Sequence, residues 1–279
     1  MTRSPGPIYV CGHSSSELER LAVQAAVFRA ITDDALVWAG IGAGMRVLDI
    51  GCGAGDMSLA VAAHVGAGGA VIGIDRAPEA VTVARRRAAA NGTRNVEFRQ
   101  GAIEEFDPGG QVDALVGRFV LMHQADPAAI LCKAARHVRP GGVILILESN
   151  LAGLLPGVRT WPDAPLFGAA IDWMIEVIRR AGALPDMGLR LHRTFVDAAL
   201  PAPRLRQHAS LFAGAAAADL CAYVAESVRS MLAVGARLEF PVPAVLEAAT
   251  LARELAREAR ALDAVLSSPP VIAAWSVQG

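Results

Sequence analysis

The chain has 279 residues, 53% of them hydrophobic, with 26 basic and 27 acidic side chains, long enough for one large domain or a domain carrying an insertion. So even a balance leaves no basic stripe, which argues against nucleic acid and against an anionic membrane surface as partners. The four cysteines, at 11, 52, 132 and 221, show neither C-x-x-C nor Cys/His spacing, so no metal site is expected and the thiols read as reduced and mostly buried.

Ser14 and Glu17 form a capping-box signature ahead of Leu18, Leu21, Ala22, Ala25 and Phe28 at helical spacing. This predicts a helix over about 15–31 and a second short one over 34–39. The residues before it lack an apolar core of signal-peptide length, and no apolar run reaches the roughly 18 residues a membrane helix needs. The expectation is a cytoplasmic protein. Abundant arginine against a single lysine, Lys133, reads as coding bias.

The stretch RVLDIGCGAGDMS, Arg46 to Ser58, organises the rest of the chain. A short apolar run leads into a loop with glycine at 51, 53 and 55 and then into an Ala/Leu-rich segment over 58–65, which reads as strand, glycine turn and helix. Glycines let the backbone approach a ligand, and the free N–H groups of the next helix face the same place. A nucleotide-like cofactor suits such a loop. The dinucleotide fingerprint would put its third glycine where Asp56 stands, so the spacing is wrong for NAD. Asp49, at the end of a buried strand, would repel a pyrophosphate and attract the ammonium and sulfonium of S-adenosyl-L-methionine.

The D-x-G-x-G-x-G pattern from Asp49 to Gly55 therefore resembles motif I of the class I S-adenosylmethionine-dependent methyltransferases. The resemblance implies that Asp49, Gly51, Cys52, Gly53 and Gly55 lie at the cofactor. It also implies an N-terminal segment folded over the ligand, which makes Tyr9 and Gln24, with Arg20, candidates to meet its methionine end. The other reading of Tyr9, Arg20 and Gln24 is a packed ring and a solvated helix face.

After the turn over 66–69, Ala70 to Ile74 reads as a second strand ending at Asp75. An acid about 20 residues past a glycine loop is placed to accept both ribose hydroxyls, and Arg76 is a candidate to lie over the adenine face. Pro78 opens a helix through Arg87 that ends near Asn91-Gly92. A third strand covers 95–100. In the family an acid follows the next glycine and takes the adenine amino group; here that place is Ala102, leaving Ile103 to pack on the ring and Glu104 as a substitute carboxylate.

Residues 113–117 form a fourth strand, and Arg118 falls just beyond its end. GRFVLMHQADP and VRPGGVILILE resemble the family's motifs IV to VI, with a helix over 127–137, a tight turn over 139–142 and a fully apolar fifth strand from Val143 to Glu148. His123 is the first candidate for general base, and Glu148 could orient its ring or act as base itself. His13 is less well placed. The same run also reads as helix-start chemistry, with Asp126 capping and Pro127 in the first turn, in which case His123 merely packs or bonds to backbone.

These elements give a Rossmann-like, doubly wound, seven-stranded, mostly parallel α/β sheet with an inserted α-helical cap. The expected division is 1–150 for N-terminal helices and cofactor core, 151–187 and 212–268 for the cap, and 188–211 and 269–279 for strands six (204–211) and seven (270–277). Helices are expected over 166–180, 188–199, 215–235 and 243–266. Trp161, Phe167, Trp173 and His192 are substrate candidates, although core packing is the commoner fate of such aromatics.

Methyl transfer to an O, N or C atom of a small, apolar or aromatic metabolite is the leading function. Alternatives are an S-adenosylmethionine-binding protein that transfers no methyl, a protein methyltransferase, and a nucleotide-dependent oxidoreductase. The expected partner is a small-molecule acceptor, with no nucleic acid, no membrane and a possible homodimer. No N-P-P-Y or D-P-P-Y run comes after the fourth strand.

Overall fold

The computed structural model describes residues 17–246 and 249–279, with side chains from residue 27 onward. The first elements are α1 (Glu17–Ala39), β1 (Arg46–Ile50), α2 (Asp56–Val65), β2 (Ala70–Asp75), α3 (Pro78–Ala90) and β3 (Val96–Gln100). Then come β4 (Val112–Arg118), α4 (Pro127–Ala135), β5 (Val138–Ser149), β6 (Thr160–Trp161), α5 (Pro165–Arg180) and α6 (Met187–Asp197). The chain closes with β7 (Arg204–His208), β8 (Leu211–Phe212), α7 (Ala217–Arg237), α8 (Leu251–Ala261), β9 (Val265–Ser267) and β10 (Val271–Val277). These elements fall into two compact units.

The sheet unit comprises 29–148, 187–207 and 271–279. Its seven strands run in the order β3-β2-β1-β4-β5-β10-β7, with β1 parallel to both β2 and β4, β2 to β3 and β4 to β5. The central strands are sealed: Val47, Leu115, Ile144 and Leu145 have no exposed surface, which is why they are apolar without alternation. From β1 the chain steps outward through β2 to β3, then returns to lay β4 on the other side of β1. That reversal makes the carboxyl ends of β1 and β4 a topological switch point, where such sheets bind ligands.

Two local expectations change in this unit. Instead of two helices around 31–34 there is one continuous α1; Thr32 and Leu36 keep its buried stripe going, and the exposed pair Arg29 to Asp33, at 2.7 Å, bridges the expected break. The Arg139–Gly142 turn is a bulge inside β5: Val112 pairs with Val138 and Ala114 already with Val143. Gly141 N and Gly142 O bond to the backbone of Gln278, at 2.9 and 2.8 Å, so the bulge is held rather than loose.

The second unit comprises residues up to 28, 149–186 and 208–270. Helices α5, α7 and α8 pack together, and Glu258 on α8 accepts from the N–H groups of Leu166 and Phe167 at 2.8 and 3.0 Å, satisfying two donors that the start of α5 would otherwise leave unpaired. Arg159, almost wholly buried, forks onto Asp172 at 2.5 and 3.0 Å. The expected helix over 243–266 is shorter, because among the described residues of that stretch only Leu251–Ala261 is α-helical and Val265–Ser267 is a strand. That strand lies between β6 and β8 in a small antiparallel sheet that helical periodicity could not reveal. The expected strand over 204–211 is divided between β7 and β8 for the same reason.

Candidate active site

At the end of β1 the chain enters a loop in which Gly51, Gly53 and Gly55 all have positive φ, 62°, 53° and 86°, conformations that side-chain-bearing residues rarely adopt. Two of the glycines serve different needs. A Cβ on Gly55 would come within 2.7 Å of the Phe98 ring, so that glycine is dictated by packing. A Cβ on Gly53 would meet nothing within 4 Å; its outer face is open, which is what close approach of a ligand to backbone requires.

Asp75 ends β2 beside this loop. One carboxylate oxygen accepts from Gly53 N at 2.8 Å and the other from Ala77 N at 2.9 Å, so the acid is aimed by the backbone and each oxygen keeps a lone pair for a further donor. Cys52 N donates to Ile74 O at 2.8 Å, tying the loop to β2 a second time, while the Cys52 side chain is buried with Val81, Ala84, Ala88 and Phe98. Burial, with Asp49 and Asp75 nearby, holds its thiol well above the ordinary range. It is an inert packing group.

Asp49 lies below the loop without exposed surface. Ser58 Oγ donates to its Oδ2 at 2.5 Å, whereas Oδ1 has no partner among the described residues. Burial pushes this carboxyl up to about 7, against the opposing Ser58 bond and the charge of Arg118. Arg118, at the end of β4, donates to Thr32 Oγ1 at 2.9 Å and approaches Asp56 at 3.9 Å. Arg76 and Glu104 pair with each other across the ends of β2 and β3, and that bond holds Glu104 below the ordinary carboxylate range. Glu104 is thus engaged by Arg76; beside it, Ile103 is buried and Ala102 half-buried.

Sequence reasoning missed two contributors. Arg87, on α3, donates to Ala54 O at 2.7 Å and to Asp56 Oδ1 at 2.5 Å, clamping the far end of the loop. Gly73, in β2, has no room for a Cβ, which would lie 2.7 Å from Ser58 Oγ and 2.8 Å from the Phe98 ring; its smallness admits the serine that reaches Asp49. A glycine inside an apolar strand was the only available signal for the second. The first had none, since its contacts span 31 and 33 residues.

Beyond β4, His123 closes a 3-10 turn, Leu121–His123, and is half-buried; loss of water around the ring pushes its pKa down to about 4. Asp126 caps α4 through Ala129 N at 2.9 Å, with Pro127 in the first turn. Glu148 has no exposed surface, and its Oε1 accepts from Val120 N and Leu121 N at 3.0 and 2.6 Å. Burial drives its carboxyl up to about 8. Tyr9 and His13 lie outside the described residues, as do the side chains of Arg20 and Gln24.

Among the substrate candidates, Phe167 and Trp173 are core side chains of the helical unit, 1% and 3% exposed, and Trp173 donates its indole N–H to Pro241 O at 3.3 Å. Their rings are taken up by packing, which corrects the expectation that they face a ligand. Trp161 is 77% exposed and His192 is exposed on α6. Among the described residues no group of three or more His, Cys, Asp or Glu could hold a metal ion, and no helix is long and apolar enough to cross a membrane.

A family model for the methyltransferase domain matches residues 41–177, the stretch that holds the glycine loop, Asp75 and Glu148. This segment is a methyltransferase domain of the class I S-adenosylmethionine-dependent type. The chain is 35% identical over 180 residues, 63% of this chain and 49% of the other, to a 37.1 kDa protein of a Streptomyces fradiae transposon. It is 37% identical over 108 residues to a ubiquinone biosynthesis O-methyltransferase of Azorhizobium caulinodans, covering 38% of this chain and 41% of that protein. The match thus spans half or less of these relatives' own length. Among solved structures, a Bacillus halodurans protein assigned to the methyltransferases superposes with a TM-score of 0.56 at 16% identity, over 88% of this chain and 97% of that one. YcgJ of Bacillus subtilis gives 0.52 at 18%, over 87% and 95%. These likenesses speak for the fold.

Family and fold imply S-adenosyl-L-methionine as cofactor, and the methyltransferase loop fits it. The open face of Gly53 and the lone pairs of Asp75 suit a ribose, while the buried acid Asp49 suits a cation.

Proposed function

We propose that this protein transfers the methyl group of S-adenosyl-L-methionine to an O, N or C atom of a small, apolar or aromatic organic acceptor. The observation that carries the reading is the Gly53–Asp75 cradle at the carboxyl ends of β1 and β2, open above Gly53 and tied at 2.8 Å. When bound, the cofactor supplies an electrophilic methyl on a sulfonium. The chain's share is to hold the reactants at attack distance and keep water out. Asp75 accepts from the ribose hydroxyls, Ile103 packs against adenine, and Asp49 with Arg118 sets the charge at the methionine end.

His123 is proposed to take the acceptor's proton where the acceptor has one to lose. With its pKa near 4 it is neutral at physiological pH and acts as a weak base. Acceptor choice is assigned to the segments that interrupt the sheet strands, 149–186 and 208–270. The balanced charge supports a small molecule over nucleic acid.

Incubation with S-adenosyl-L-methionine and a panel of phenols, amines and carbon acids, read as S-adenosylhomocysteine released, tests the proposal. Release that depends on one class of acceptor is the expected result. Tight cofactor binding with no turnover on any class would leave a binder that transfers no methyl.

A further inference from the structure

Glu148 is buried at the carboxyl end of β5, yet no charged partner among the described residues is bonded to it. Its Oε1 takes the N–H groups of Val120 and Leu121, and the N–H of Met122 also acts on the carboxyl group. The turn it holds is one the backbone disfavours. Phe119 has φ 56°, left-handed for a residue with a bulky side chain, although its N–H still completes the β4–β5 ladder by donating to Leu147 O at 2.9 Å. The chain therefore reverses at Phe119, and the next two amides close on the carboxyl group.

Val120 extends this arrangement to the cofactor loop. A Cβ on Gly51 would collide with Val120 Cγ2 and lie 3.0 Å from its Cβ, and one on Gly117 would lie 3.1 Å from Val120 Cγ1. The valine fills the notch left by the two glycines, one of which opens the glycine loop. Close-packed contacts of this kind transmit displacement, because neither side has room to absorb it.

We infer that Glu148 is a positioning residue: by fixing the amides of Val120 and Leu121 it seats Val120 against Gly51 and so sets the glycine loop for cofactor binding. Proton transfer to a substrate is a poor use for a carboxyl with no exposed surface. Glutamine keeps an oxygen for the two amides, so the conservative variant preserves the device; alanine removes it. The inference rests on the proposed function only for the identity of the ligand.

Amide hydrogen exchange on the whole protein without ligand reads the coupling directly. Three loop amides are bonded in the structure, those of Cys52, Gly53 and Gly55. In Glu148→Ala their protection is expected to fall at least tenfold while that of Val71, bonded to Asn95 O across the outer strands, is retained. Glu148→Gln should restore it, and Val120→Ala should lower it with Glu148 intact. S-adenosylhomocysteine affinity by calorimetry should fall in the same two variants and recover in the glutamine one. Loop protection unchanged in both Glu148→Ala and Val120→Ala overturns the inference, as does a Glu148→Gln protein that keeps loop and affinity but loses turnover a hundredfold, the mark of a proton carrier. A wild-type protein with the coupling intact but no affinity for S-adenosylhomocysteine would sink the methyltransferase reading and leave the coupling standing.

Discussion

Asp75 accepts from Gly53 N in the glycine loop and from Ala77 N just after β2, so replacing it removes a ligand acceptor and a loop tether together. Asp75→Ala is expected to weaken S-adenosyl-L-methionine binding by about 1.5 to 3 kcal/mol, the scale of a hydrogen bond to a charged group; unchanged affinity by calorimetry on folded protein would remove Asp75 from the site. The buried acids make a second prediction. Asp49 and Glu148 are pushed up to about 7 and about 8 by burial, so between about pH 4 and those values the native state holds protons that the unfolded chain has released. Their contribution to stability is full below the unfolded carboxyl pKa and is lost as pH rises through the folded one. His123, pushed down to about 4, acts in the opposite sense, contributing stability above about pH 6.5 that is lost as pH falls toward 4. Above pH 6.5 the acids act alone, and stability should fall toward pH 8 by up to about 1.4 kcal/mol per pH unit for each linked proton. Urea unfolding at pH 6.5, 7.25 and 8 checks this, and Asp49→Asn should flatten the first half of the decline. The same shift in His123 puts the acid limb of its own contribution to methyl transfer near pH 4, not 6.5. A His123→Gln protein with unchanged rate and unchanged acid limb would leave proximity as the whole mechanism.

At the scale of elements, the sequence makes legible what local chemistry dictates. Gly51, Gly53 and Gly55 are required by backbone angles, β1 and β4 by their buried central runs, and α4 by Asp126 and Pro127 at its start. What stays hidden depends on partners distant in sequence. The strand Val265–Ser267 exists because β6 and β8 flank it, and the clamp of Arg87 on Asp56 joins residues that no periodicity connects. Phe167 and Trp173 pass for ligand-facing residues in the sequence because an apolar aromatic looks alike at a core and at a pocket; only burial separates them. Glu258 is another long-range case with a measurable consequence, since it caps α5 from 91 and 92 residues away. Glu258→Ala leaves two helix-start amides without their acceptor and removes a negative charge from that end. A loss of about 1 to 2 kcal/mol in chemical denaturation is expected. A loss below a few tenths would mean that solvent satisfies those amides equally well.

Over the whole molecule the chain passes between the two units at residues 28, 148, 186, 207 and 270, so the helical unit is assembled from segments interleaved with the sheet strands. The groups assigned to the cofactor, from Asp49 and the glycine loop to Asp75, Ile103 and Arg118, all belong to the sheet unit. Acceptor selection has been assigned to the other unit, and the two assignments separate in one measurement. A ligand that binds only the native state stabilises what it binds, by about 2.7 kcal/mol at a hundred times its dissociation constant. S-adenosylhomocysteine alone should therefore raise hydrogen-exchange protection chiefly in peptides covering 49–58, 74–78 and 101–106. Addition of an acceptor found by turnover should bring further protection to peptides within 149–186 and 208–270. If the acceptor's increment falls instead on sheet-unit peptides alone, specificity resides in the loops after β4 and β5, and the inserted segments serve stability rather than choice of acceptor.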